Sequence, residues 1–218
     1  LLLLFYGWDS IFLVLAAWGV IVIALLALAL PEPLPATRRQ PIRPRVILSN
    51  FRMLLGERSF IGYSLSNACA FAGLFAFLSG SSFVLIEFLG VPPTSYGFYF
   101  AGGVAGFMVG SLIGGHFSRR CGIDRLIFAG AVLTTLGGSL MAALAWAELY
   151  SVAAIIPPHA VFMAGVGILM PLTMAGALAD FPQCAGSASS LFGFIQMTNA
   201  ATVGALVGQL HDGTSRTM

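Results

Sequence analysis

YGFYFAGGVAGFMVGSLIGGHF, residues 96–117, contains no Asp, Glu, Lys or Arg and is long enough, as a helix, to cross a bilayer core about 30 Å thick, which needs ~20 residues. Inside it Gly102, Gly106, Gly110 and Gly114 recur at every fourth position. That spacing aligns four glycines along one face and opens a groove for a second backbone, the small-residue packing membrane helices use where lipid removes the hydrophobic drive. Two uses follow. The groove is a static contact inside one bundle, or it is a surface on which one bundle rocks against another.

The neighbouring sequence has the same character. The 218 residues are 58% hydrophobic and 8% charged, with a mean hydropathy of +0.95. A water-soluble domain carries roughly 25% charged residues. Further runs of spanning length occupy residues 11–30, 60–86, 126–146, 152–179 and 185–210. The first stops against Pro31, Pro33 and Pro35, which cannot continue a helix. The run 152–179 contains Pro157, Pro158 and Pro171 but counts as a span, because membrane helices tolerate proline where neighbours satisfy the freed carbonyls. Six spans make the expected fold an all-α membrane protein, a multi-span helical bundle with the lipid bilayer as its main partner.

All ten cationic residues are arginine, and the formal charge of +2 is too small for a nucleic-acid partner. Arg38, Arg39, Arg43, Arg45, Arg52 and Arg58 follow the first span, and Arg119, Arg120 and Arg125 lie between the third and fourth. Cytoplasmic loops retain positive charge, so both loops belong on the cytoplasmic side. The connections at 87–95 and 147–151 hold no arginine and one glutamate each, and belong outside. Arg216 is the exception, and both chain ends emerge on the outer face. Within the first loop, PIRPRVILSNFRMLLGER reads either as an amphipathic surface helix with Val46, Leu48, Phe51 and Leu54 or Leu55 toward lipid, or as a solvated loop. Cys69, Cys121 and Cys184 lack metal or redox spacing and read as free thiols. The opening LLLLFYGWDS lacks a charged n-region and a cleavage site, and reads as the middle of a longer chain.

Several segments carry a family resemblance: GWDSIF (7–12), LPEPLP (30–35), FAGLFAFLSGSSFVLIEFLG (71–90), SRRCGIDRL (118–126), FPQCAGSASSLFGFIQM (181–197) and LVGQLHDG (206–213). Together they resemble the bicyclomycin resistance (Bcr/CflA) branch of the major facilitator superfamily, over nearly the whole chain. The resemblance implies that the six spans correspond to helices six to eleven of twelve. Residues 1–30 would then be a transmembrane helix of the first half, 31–59 an Arg-rich cytoplasmic central loop, and 60–218 an incomplete carboxy-terminal bundle. It also implies an inner (plasma) membrane location in a bacterium, and the remainder of the same transporter as a partner. The superfamily's loop motif is represented only by Gly114, Ser118, Arg119 and Gly122, with its aspartate replaced and its spacing lengthened. The resemblance therefore carries no gating salt bridge to these positions.

Polar groups in hydrocarbon are costly and so informative. Asn67, Gln196 and Asn199 are the most demanding, and Phe71, Phe75 and Phe192 lie one turn from them. These six are the substrate-cavity candidates, an amphiphilic aromatic wall suited to a hydrophobic small-molecule drug. The competing explanation for each polar residue is an interhelical hydrogen bond. Met163, Met170, Met174 and Met197 offer either an adaptable surface or ordinary core and lipid contacts. Glu87 and Glu148 fall at outer helix ends, and Asp180 at a cytoplasmic turn. His116, His159 and His211 are expected at interfaces or helix ends, because no HExxH or triad-like spacing accompanies them. With no paired catalytic groups, metal ligands or cofactor motif, the expected function is transport and not an enzymatic reaction. The resemblance implies drug/proton antiport by alternating access, with protons as the coupling ion. The alternatives are a sugar or metabolite carrier and a non-transporting scaffold.

Overall fold

A computed structural model of the chain describes residues 9–29, 43–149 and 151–209. Gly7 and Trp8, the proline-rich stretch with Arg38 and Arg39, and the closing His211 and Arg216 lie outside the described residues. The chain divides into two units, Leu1–Pro41 and Ile42–Met218. The first contributes α1 (Asp9–Ala29), whose Phe12–Ala29 portion is apolar on every face and of spanning length.

The second unit begins with α2 (Pro44–Gly56), started by a proline at a position where the missing N–H has no helical acceptor. It continues with α3 (Arg58–Ser82), which passes into a π-helical segment (Phe83–Phe88), then α4 (Pro93–Cys121), α5 (Ile123–Trp146), α6 (Val152–Ala179), a 3-10 turn (Pro182–Cys184) and α7 (Ala185–Gln209). The described residues contain no strand. Counting α1, six helices are long and apolar enough to cross a membrane. Their exposed side chains are large and oily, as with Phe98, Leu112, Phe128 and Trp146. A surface of that kind suits lipid and not water.

Helix directions follow from which residues meet. Along α4 and α6, Gly102 faces Ile156, Gly106 faces Ala160, Gly110 faces Ala164 and Gly114 faces Ile168, so the two helices run parallel. On the other side of α6 the numbers run oppositely: Gly130 of α5 meets Gly165, and Gly137 meets Pro158 and Phe162. Asn67 of α3 reaches Thr173, while Phe77 reaches His159, so α3 is also antiparallel to α6. Consequently the start of α3, the end of α4 and the start of α5 share one end of the bundle. Arg58, Arg119, Arg120 and Arg125 gather there, all four exposed.

Helix α6 is the centre. Its buried residues include Phe162, Met163, Val166, Ile168, Leu169 and Leu172, with no polar stripe around the helix. It survives three internal prolines for local reasons. Pro157 and Pro171 are exposed, so their rings project away from the core. Ser151 caps the first turn, its hydroxyl accepting from the Ala154 N–H at 3.2 Å. Glycines on two faces, Gly165 toward α5 and Gly167 toward α4, bring the neighbouring backbones into contact. A second core joins Leu54 of α2, Phe60 of α3, Ala177 of α6, and Ala188, Leu191 and Phe192 of α7. Phe60 and Phe181 meet edge to face there, with centroids 6.0 Å apart.

Helix α2 corrects one expectation. Leu54 is fully buried and Phe51 packs against the same core, so both face protein and not lipid. The Asn50 amide donates to the Ser187 hydroxyl at 3.2 Å, fixing α2 against α7. Leu48 and Leu55 remain exposed.

Candidate functional site

The six substrate-cavity candidates separate into two groups. Asn67 and Phe192 are buried. The Asn67 amide donates to the Thr173 hydroxyl at 3.0 Å and is 3.4 Å from the Met170 carbonyl, while Thr173 itself donates to the Leu169 carbonyl at 2.7 Å. The result is a polar chain linking α3 to α6. Phe192 belongs to the core around Leu54 and Phe60. The other four, Phe71, Phe75, Gln196 and Asn199, are half-buried on the adjacent helices α3 and α7. Phe71 and Phe75 stand one turn apart with their rings tilted and centroids at 5.0 Å.

The glycine stripe lies against α6 of the same unit. A Cβ on Gly106 or Gly110 would run into the carbonyl oxygen of Ala160 or Ala164. A Cβ on Gly102 or Gly114 would meet its nearest neighbour at 3.7 Å and 3.5 Å, ordinary contact distances. The groove is thus tightest in the middle of the helix. Arg119 and Arg120 occupy the last turn of α4, where cations complement the helix dipole. Gly122 turns the chain into α5, and Asp124 in the first turn of α5 accepts from the Tyr63 hydroxyl at 2.6 Å.

The methionines divide likewise. Met163 is buried and Met170 packs beside it in the core around Val166, whereas Met174 and Met197 are exposed. Among the described residues, no group of three His, Cys, Asp or Glu is placed to hold a metal ion. Cys69 and Cys121 are exposed free thiols, and Cys184 is buried.

His159 was expected at an interface or helix end, and the structure places it elsewhere. It is 1% exposed in the second turn of α6, with its ring stacked on Phe77 at 3.4 Å between centroids and 12° between planes. Its edge lies against Gly103 of α4, whose missing side chain makes room for the imidazole. Its Nδ1 is buried without a hydrogen-bond partner among the described residues. His159 and Phe77 form part of the wall of a cavity of about 330 Å³ between α3, α5 and α6. None of the six candidates lines this cavity. Sequence reasoning missed it because a lone histidine after two prolines resembles a helix terminus. The available signal was a small-residue column, Gly73, Ala76, Gly138 and Ala142, on two helices that α4 separates in the chain.

Comparison with known proteins adds the lineage. Residues 1–205 match the family model described as Major Facilitator Superfamily. The chain is 28% identical over 220 residues to a bicyclomycin resistance protein homolog of Haemophilus influenzae, covering 98% of this chain and 54% of that protein. It is 32% identical over 217 residues to an uncharacterized MFS-type transporter of Bacillus subtilis, covering 95% of this chain and 52% of the other. It is 25% identical over 205 residues to multidrug resistance protein D of Escherichia coli, covering 94% and 50%. The chain therefore spans about half the length of the curated relatives it matches.

Proposed function

Because the chain belongs to the Major Facilitator Superfamily, we propose that it supplies the carboxy-terminal wall of a secondary active exporter for hydrophobic drugs, coupled to proton entry and working by alternating access in a bacterial inner membrane. The observation that carries this reading is the match of nearly the whole chain to proteins named for bicyclomycin and multidrug resistance. The chemistry of the spans supports it. Phe71, Phe75, Gln196 and Asn199 offer aromatic faces and neutral amides, a combination that accepts bulky apolar compounds without demanding one hydrogen-bond pattern. A sugar carrier needs more converging polar groups than these helices hold.

In this reading the half-buried residues of α3 and α7 meet the drug. Asn67 and Phe192 hold the helices that present them. No bond of the substrate is made or broken; the transporter exposes the site alternately to each side of the membrane. The test is efflux of a fluorescent hydrophobic cation from cells expressing the complete gene. Export is expected to stop when the proton gradient is collapsed. Equal dye accumulation with and without the gradient would overturn the proposal.

A further inference from the structure

Helix α2 turns three different sectors to its surroundings. One belongs to the protein: Leu54 is fully buried, Phe51 packs beside it, and the Asn50 amide donates to Ser187. At about 100° of rotation per residue, Arg45 and Arg52 lie two turns apart on the opposite sector, with Ser49 between them. All three are exposed. Leu48 and Leu55 occupy the flank on the side of Phe51, between the buried and the cationic sectors, and are 69% and 54% exposed.

The depth of α2 follows from what covers its buried sector. Leu54 belongs to one core with Phe60 in the first turn of α3, Ala177 in the last turn of α6, and Ala188 and Leu191 in the first two turns of α7. Those three helices are each long and apolar enough to cross a membrane. Helix α2 therefore lies level with the ends of three spans, where hydrocarbon gives way to headgroups. It is the end at which Arg58, Arg119, Arg120 and Arg125 gather. A face turned only to water has no use for two leucines in register with two arginines. At a membrane surface the same pattern lets leucine enter the acyl region while each arginine extends its charged head to the phosphates.

We propose that the outer face of α2 is a binding site for an anionic phospholipid of the adjoining leaflet, with Arg45 and Arg52 on the headgroup and Leu48 and Leu55 along the acyl chains. Charge selects the lipid. Residues 43–58 hold four arginines against the single Glu57, and α2 itself contains no acid. A guanidinium keeps its charge and offers paired N–H donors that match phosphate oxygens. Basic residues on an amphipathic helix at the cytoplasmic surface are each drawn to anionic lipid. Because Asn50 and Leu54 fix α2 to the bundle, both arginines are held in place before the lipid arrives. The inference needs the chain to sit in a bilayer and does not rest on what the transporter exports.

The test uses the complete transporter in lipid nanodiscs, on a background without other cysteines, with a bimane fluorophore at Ser49→Cys. Phosphatidylglycerol or phosphatidylcholine bearing a nitroxide high on the acyl chain serves as quencher at equal mole fraction. Both lipids are expected to quench, with phosphatidylglycerol favoured about tenfold at low salt. The preference is expected to vanish at about 1 M salt, where screening acts within about 3 Å. Arg45→Gln combined with Arg52→Gln is expected to remove it at low salt, whereas Arg119→Gln combined with Arg120→Gln leaves it intact. The salt series needs no change at the arginines, so it decides the matter even if the double variant misfolds. Absence of quenching by either lipid overturns the proposal: a label then open to aqueous iodide faces water, and one closed to it faces the rest of the transporter. Equal quenching by the two lipids overturns it as well, as does a preference that survives 1 M salt or persists in the folded double variant. No drug or proton gradient enters the readout, so failure of the export reading leaves this result interpretable.

Discussion

One amide joins α3 to α6. Asn67 donates to Thr173, whose own hydroxyl is spent on the helical carbonyl of Leu169. In lipid such a bond is worth on the order of 0.6–2 kcal/mol, because the separated helices find other partners. Replacing Asn67 with Ala is expected to destabilise by about 1 kcal/mol, and the loss in the double variant with Thr173→Val is expected to fall short of the sum. Unfolding in mixed detergent measures the cycle, and full additivity would refute the coupling. At Gly122 the backbone has φ 82° and ψ 152°, a region reserved in practice for glycine. Gly122→Ala is expected to cost about 1–3 kcal/mol despite open space around it, and an unchanged unfolding midpoint would contradict that. Sequence alone singled out Asn67 as a demanding residue with two explanations, a cavity wall or an interhelical hydrogen bond. It did not indicate which helix would answer the amide, because that partner lies 106 residues away.

At the scale of helices, the contact between α4 and α6 is graded along its length. Gly110→Ala would force the two backbones apart, and overpacking of this kind costs typically 1–3 kcal/mol. Gly102→Ala has ordinary contact space and is expected to be near neutral. Thermal denaturation of the purified transporter separates the two, and equal midpoints would show that the seam gives way freely. The spans themselves were legible, since length and missing charge decide them, and α6 runs over Val152–Ala179 with its prolines included. The regular glycine period of α4 was equally plain. What period alone did not convey is that the opposing surface is on α6, or that Gly130 and Gly137 of α5 grip the same helix from its other side. Helix α2 shows the complementary limit: an amphipathic pattern tells that one face is apolar, but not whether lipid or protein covers it. There the Asn50–Ser187 hydrogen bond and the pocket around Leu54 decide for protein.

For the bundle as a whole, the arginine-bearing ends of α3, α4 and α5 coincide, and the positive-inside rule predicts a cytoplasmic position for that end. Cys121 sits there as an exposed thiol, next to Arg119 and Arg120. In intact cells a membrane-impermeant maleimide is expected to leave Cys121 unmodified, and to label it once the membrane is permeabilised. A Cys121→Ser control identifies the adduct, and labelling in intact cells would invert the orientation.

The seam around α6 also bears on how such a transporter fails in a population under selection. No codon change turns glycine into another residue that lacks a Cβ. Any missense substitution at Gly106, Gly110, Gly137, Gly165 or Gly167 therefore places an atom where a neighbouring backbone already is. Spontaneous loss-of-activity alleles would accumulate at those codons whichever compound is applied, whereas alleles that merely alter preference among compounds would arise on other helix faces.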